Sequence, residues 1–89
     1  MDNVWIFNGD NSSFPAGVFL SKEKAEIYIE KHKLSGVLTQ YPTDNLIYNW
    51  AIENNIFSPK KEHERTSDFI QRFTSASQEH YHYENGVCE

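Results

Sequence analysis

At 89 residues the chain has room for one domain and not for two, and a body of that size buries only about 60–65% of its unfolded surface, so its core must be built from large side chains. Two Trp, five Tyr and six Phe supply them. Thirteen acidic against eight basic residues leave a formal charge of −5, which argues against nucleic acid or an anionic membrane and favours a basic protein partner, while the lone Cys88 excludes an intrachain disulfide framework and a cysteine metal cluster.

Met1-Asp2-Asn3 carries no positive stretch, and the apolar run behind it is too short for a secretory signal or a span, so a reducing, cytoplasmic setting is expected. That run, Val4-Trp5-Ile6-Phe7, is the only place where four large apolar residues follow one another. A strand with one wet face should alternate, so this one reads as the central strand, covered on both faces. Asn8-Gly9 stop it, and residues 8–13 form a polar turn and loop.

Residues 16–20 predict a second strand antiparallel to the first, with Gly17 marking a bulge or a close approach. Ser21 caps a helix over residues 22–33 whose Ala25, Tyr28 and Ile29 face inward, and Gly36 supplies the left-handed residue at its end. Residues 37–41 then read as a third strand, closed by Pro42. A right-handed crossover sets it parallel to the second strand, either beside it or one place removed across the first.

Thr43 or Asp44 caps a second helix with Leu46, Ile47, Trp50, Ala51 and Ile52 on its apolar side, and Asn54-Asn55 give a left-handed exit before Ile56-Phe57 fold back. Residues 58–65 contain no apolar side chain and read as a solvated, mobile loop. Thr66 or Ser67 caps a third helix with the stripe Phe69, Ile70, Phe73, Ala76, and residues 78–83 form a last strand at or near an edge, ended by Asn85-Gly86. The sum is a single α+β domain over residues 1–89. It has about four mostly antiparallel strands in ββαβααβ order and three helices packed largely on one face.

Five segments carry a resemblance: Trp5-x-Phe7-Asn8-Gly9, Phe14-Pro15-x-x-Val18-Phe19, Leu34-Ser35-Gly36-x-Leu38-Thr39-x-Tyr41-Pro42, Tyr48-x-Trp50-Ala51-Ile52-Glu53-Asn54, and Phe73-x-Ser75-Ala76-Ser77-Gln78-Glu79-His80-Tyr81-His82-Tyr83. In that order, from Val4 to Gly86, they resemble a family of small bacterial proteins with one domain of unknown function. The resemblance implies a stand-alone soluble domain and brings no activity, cofactor or catalytic residue with it.

His80 and His82 are two apart on the last strand, so both imidazoles share a face and could share a metal, with Glu84 on the same face and His63 from the loop. Against this, a structural site needs about four ligands and only two have local spacing, so the pair reads as an exposed strand face and no cofactor is expected. Ser75 or Ser77 with Glu79 and His80 could be written as a hydrolase, yet no nucleophile-elbow glycines accompany them and helix-end polar groups are the commoner explanation. Asp10-Asn11-Ser12 lacks the ligands of a calcium loop. Trp5, Trp50, Tyr48 and Tyr28 fall on inward faces, whereas Tyr81 and Tyr83 lie opposite the histidines on a partly open strand.

The function expected from these residues is a non-enzymatic protein-interaction module, akin to an immunity protein or inhibitor that meets a basic partner through His80, Tyr81, His82, Tyr83, Asp10 and Glu79. An edge strand also allows a symmetric homodimer. The alternative is a small metal-dependent or hydrolytic enzyme using His80 and His82.

Overall fold

The computed structural model describes residues 3–89, which fall into two compact units: one holds the chain up to Thr43 together with Gln78–Glu89, the other Asp44–Ser77. In the first, β1 (Asn3–Gly9), β2 (Gly17–Phe19), β3 (Gly36–Pro42), β4 (His80–Glu84) and β5 (Val87–Cys88) form one sheet in the order β2-β1-β3-β4-β5, antiparallel at every pairing. The fold is α+β.

Four strands are expected from the sequence, and the structure adds β5. Asn85 and Gly86 do more than end β4: both take positive φ, 51° and 86°, the two-residue turn that folds a strand back on its neighbour. β2 and β3 both run antiparallel to β1 and are therefore parallel to each other, one place removed across it. β3 is the middle strand and β1 is flanked on both sides.

The apolar tetrapeptide turns out to be two-sided. Trp5 and Phe7 are buried, while Val4 and Ile6 on the other face are half-buried. Trp5 and Phe7 pack with Leu38, Tyr83 and the inward residues Ala25 and Ile29 of α1 (Lys22–His32), one helical turn apart. Ser21 starts this helix, its Oγ accepting from the Lys24 N–H at 3.2 Å.

The helix ends differently from expectation. Lys33, not Gly36, takes the left-handed conformation (φ 55°), donating to the Glu30 carbonyl while the Leu34 N–H reaches Ile29 O at 2.9 Å and the Leu34 side chain packs against the core that holds Ile29. Gly36 is needed three residues later, at the start of β3: a Cβ there would collide with the Asn8 carbonyl oxygen and stand 2.8 Å from Gly9 Cα. Tyr28 also departs from its expected core place, being 51% exposed with its ring 5.8 Å from Phe19.

The second unit contains α2 (Ile47–Glu53), a 3-10 turn (Glu62–Arg65) and α3 (Ser67–Arg72). α2 starts from Leu46, whose N–H is taken by Asn45 Oδ1 at 2.9 Å. Neither Thr43 nor Asp44 caps it, and Asp44 sits at φ 53°, outside the extended conformation an N-cap adopts. Leu46 is left 52% exposed, and Trp50 is half-buried; Tyr48 and Ala51 are the buried residues of this helix. The Tyr48 ring is the hub of an aromatic cluster, with Phe57 at 5.8 Å, Phe73 at 5.6 Å and Phe69 at 6.3 Å.

Residues 58–65, expected as an open loop, are braced by their own charges. Glu64 Oε1 accepts from the N–H groups of Lys60 (2.7 Å) and Lys61 (3.1 Å), Arg65 Nη2 donates to Pro59 O (3.0 Å), and the Tyr48 hydroxyl donates to Glu64 O (2.8 Å). Those two amides hold the Glu64 carboxyl below its ordinary range. Thr66 caps α3 through its Oγ1, as its position suggests, and Ala76 lies beyond the helix, exposed.

Candidate interaction surface

Alternation along β4 sorts its side chains. His80, His82 and Glu84 are exposed on one face, and Tyr81 and Tyr83 turn to the α1 side. The two imidazoles lie 5.4 Å apart, centre to centre, nearly perpendicular. His80 Nδ1 is 2.8 Å from the Gln78 carbonyl, which can only accept, so Nδ1 carries the proton and Nε2 is the free position. Across the sheet His80 stands opposite Thr39 and His82 opposite Val37. Gln78 just before the strand is buried, donating from Nε2 to Gln40 O at 2.9 Å, while the Gln40 N–H donates to Glu79 O and extends the ladder.

The tyrosines are less available than their positions suggest. Tyr83 is buried, its hydroxyl donating to Glu26 Oε2 at 2.6 Å, so it supports the strand from behind and offers no contact surface. Burial, and then the Glu26 carboxylate, push its ionisation far above that of a free phenol. The Tyr83 hydrogen bond in turn holds Glu26 below the ordinary carboxylate range, with Lys22 3.3 Å away on the same oxygen. Tyr81 is half-buried, 6.1 Å from Trp5, with the Lys22 ammonium 4.2 Å from its ring centre. Its hydroxyl donates to the exposed Glu79 carboxylate, which raises the Tyr81 pKa.

Asp10 reaches this end of the sheet through a residue the sequence does not single out. Ser35 accepts the Asp10 N–H on its carbonyl (3.0 Å) and the Asn85 N–H on its Oγ (2.9 Å), so the 8–13 loop and the β4–β5 turn sit side by side. Nothing in the local spacing of Asp10 and Glu84 announces that neighbourhood. An isolated serine between a helix end and a strand was the only available hint.

The other candidate residues each have a partner within their own unit. Ser75 Oγ accepts the Ser77 N–H at 3.1 Å, Glu79 is engaged by Tyr81, and His63 packs edge-on at 5.9 Å from Phe69 in the second unit. Among the described residues no group of three or more His, Cys, Asp or Glu side chains is placed to hold a metal ion. No helix among them is long and apolar enough to cross a membrane. The second unit has a shallow aromatic groove of about 390 Å³, lined by His63, Phe69 and Phe73 with the exposed Asp68–Arg72 ion pair at its rim.

Residues 4–89 match the family described as Domain of unknown function (DUF7710). The chain belongs to this family. The match takes in all of β2–β5 and α1–α3 and nearly all of β1, so the DUF7710 domain comprises both compact units. No curated protein and no solved structure matches the chain.

Proposed function

We propose that this DUF7710 chain is a non-enzymatic protein-interaction module whose partner is a basic protein surface, met by the outer face of β4 and the adjoining 8–13 loop. The observation that carries the reading is the Ser35 clamp. It sets exposed Asp10 beside the turn that follows exposed Glu84, so acidic residues from separate parts of the chain meet at one end of the strand that carries the exposed His80 and His82. Acidic groups at the rim of a surface steer a cationic partner and set its on-rate, and the net charge of −5 adds the long-range field. The imidazoles supply flat, hydrogen-bonding contact area along the strand beside that acidic end.

His80→Ala/His82→Ala and Asp10→Lys/Glu84→Lys, compared with the unchanged chain in affinity capture from the native cell and then with the purified partner, test this reading. All four positions are exposed, so the variants should keep the melting temperature. The expected result is one salt-sensitive partner, weakened roughly tenfold or more by the charge reversal and less by the alanines. A partner held equally by all three proteins, or one unaffected by salt, sinks the proposal.

A further inference from the structure

The margin of the sheet opposite β5 differs from the rest of the surface. β2 stands at that end and, among the described residues, pairs with β1 alone, so the outward backbone groups of Gly17–Phe19 have no strand beside them. Phe14 is 77% exposed, Val18 63% and Leu20 85%. On the α1 side the half-exposed Tyr28 ring and Phe19 border an open apolar groove of about 230 Å³ that Phe7, Ala16 and Leu34 complete. On the order of 500 Å² of apolar side chain meets water along this margin, at the upper end of what a monomer shows.

Charge supplies the second observation. Residues 11–21 contain no Asp, Glu, Lys, Arg or His, in a chain whose formal charge is −5. Exposed edges are commonly guarded by lysines or bulges, and here only the shortness of β2 and Pro15 ahead of it serve that purpose. A basic partner finds no carboxylate in this stretch to pair with. A second copy of the chain, repelled elsewhere by its own acidity, meets no like charge along it.

We propose that β2 pairs antiparallel with β2 of a second copy about a two-fold axis, joining two five-stranded sheets into one of ten strands. Val18 then lies near its counterpart, and Phe14 and Leu20 from both copies cover the junction. Three-residue strands contribute few hydrogen bonds, so the apolar side chains hold the pair together and the dimer belongs to the weak, concentration-dependent class. The two β4 strands would stand seven strand spacings apart, about 34 Å, so a dimer presents two copies of the surface proposed above, should that surface bind a partner.

Sedimentation equilibrium of the full chain from about 1 μM to 1 mM tests the pairing. A monomer–dimer equilibrium is expected, weakened tenfold or more by Val18→Lys and by Leu20→Lys, left within about twofold by Val87→Lys on the opposite margin, and unchanged or tightened by added salt. A chain that stays monomeric throughout overturns the proposal. So does a dimer that the two β2-side lysines leave intact, that Val87→Lys disperses, or that salt dissolves. Leu20 lies outside the strand, so Leu20→Lys decides the matter alone if Val18→Lys fails to fold.

Discussion

The hydroxyl of Tyr83 donates to the Glu26 carboxylate at 2.6 Å, tying β4 to the side of α1 across 57 residues of chain. Hydrogen bonds to a charged acceptor are among the stronger ones, so Tyr83→Phe should cost about 1–2 kcal/mol, read from urea or thermal unfolding, with little change in the overall fold. An unchanged midpoint would mean that water replaces the phenol without loss.

The same bond sets a pH dependence. Glu26 is held below its ordinary value of 4.5, so the stability it adds is complete above that value and is lost as the pH falls through the lower folded value. Glu64, held down by the Lys60 and Lys61 amides, acts in the same direction in the other unit. Acid unfolding should therefore begin below about pH 4.5. Tyr83→Phe should show a shallower loss between pH 5 and 3 than the unchanged chain. Equal slopes would detach Glu26 from the acid transition.

Gly36 and Gly9 face each other across β1 and β3 yet should respond oppositely to a methyl group. Alanine at 36 drives a Cβ into the β1 backbone and should cost roughly 2–4 kcal/mol, whereas alanine at 9 meets only Ser35 O at 3.8 Å and should cost less than about 1 kcal/mol. Differential scanning calorimetry of the pair checks this, and comparable losses would contradict the close approach.

Glu64→Ala removes the acceptor that closes residues 58–65, leaving the Lys60 and Lys61 amides to solvent. Trypsin should then cut after Lys60, Lys61 or Arg65 several-fold faster than in the unchanged chain. Identical cleavage rates would show that the Arg65 and Tyr48 bonds hold the turn without it.

Zinc at modest excess should leave the melting temperature of the chain unchanged, and His80→Ala/His82→Ala should behave the same way. Two imidazoles on a strand, one with its Nδ1 engaged by the Gln78 carbonyl, fall short of the three or four ligands a zinc site uses. A clear upward shift that the double alanine abolishes would restore the metal reading.

Much of what the chain reports about its own neighbourhood was determined by sequence, although the cap of α2 and the end of α1 were not. The alternating residues of β4 placed His80 and His82 on one exposed face and the tyrosines on the other, Ser21 and Thr66 capped their helices, and the α+β class followed from the order of apolar periods. β5 was legible too, in an Asn-Gly turn read only as a stop.

What the tertiary structure alone decided are the matters that depend on which distant backbone comes near. Gly36 lies against β1 and leaves the helix end to Lys33, Ser35 brings Asp10 to Asn85, Gln78 is buried on Gln40, and Tyr28 stays half-exposed at a margin the helix does not cover. Period and propensity encode which way a side chain points along its own element, and they carry no record of what stands there to meet it.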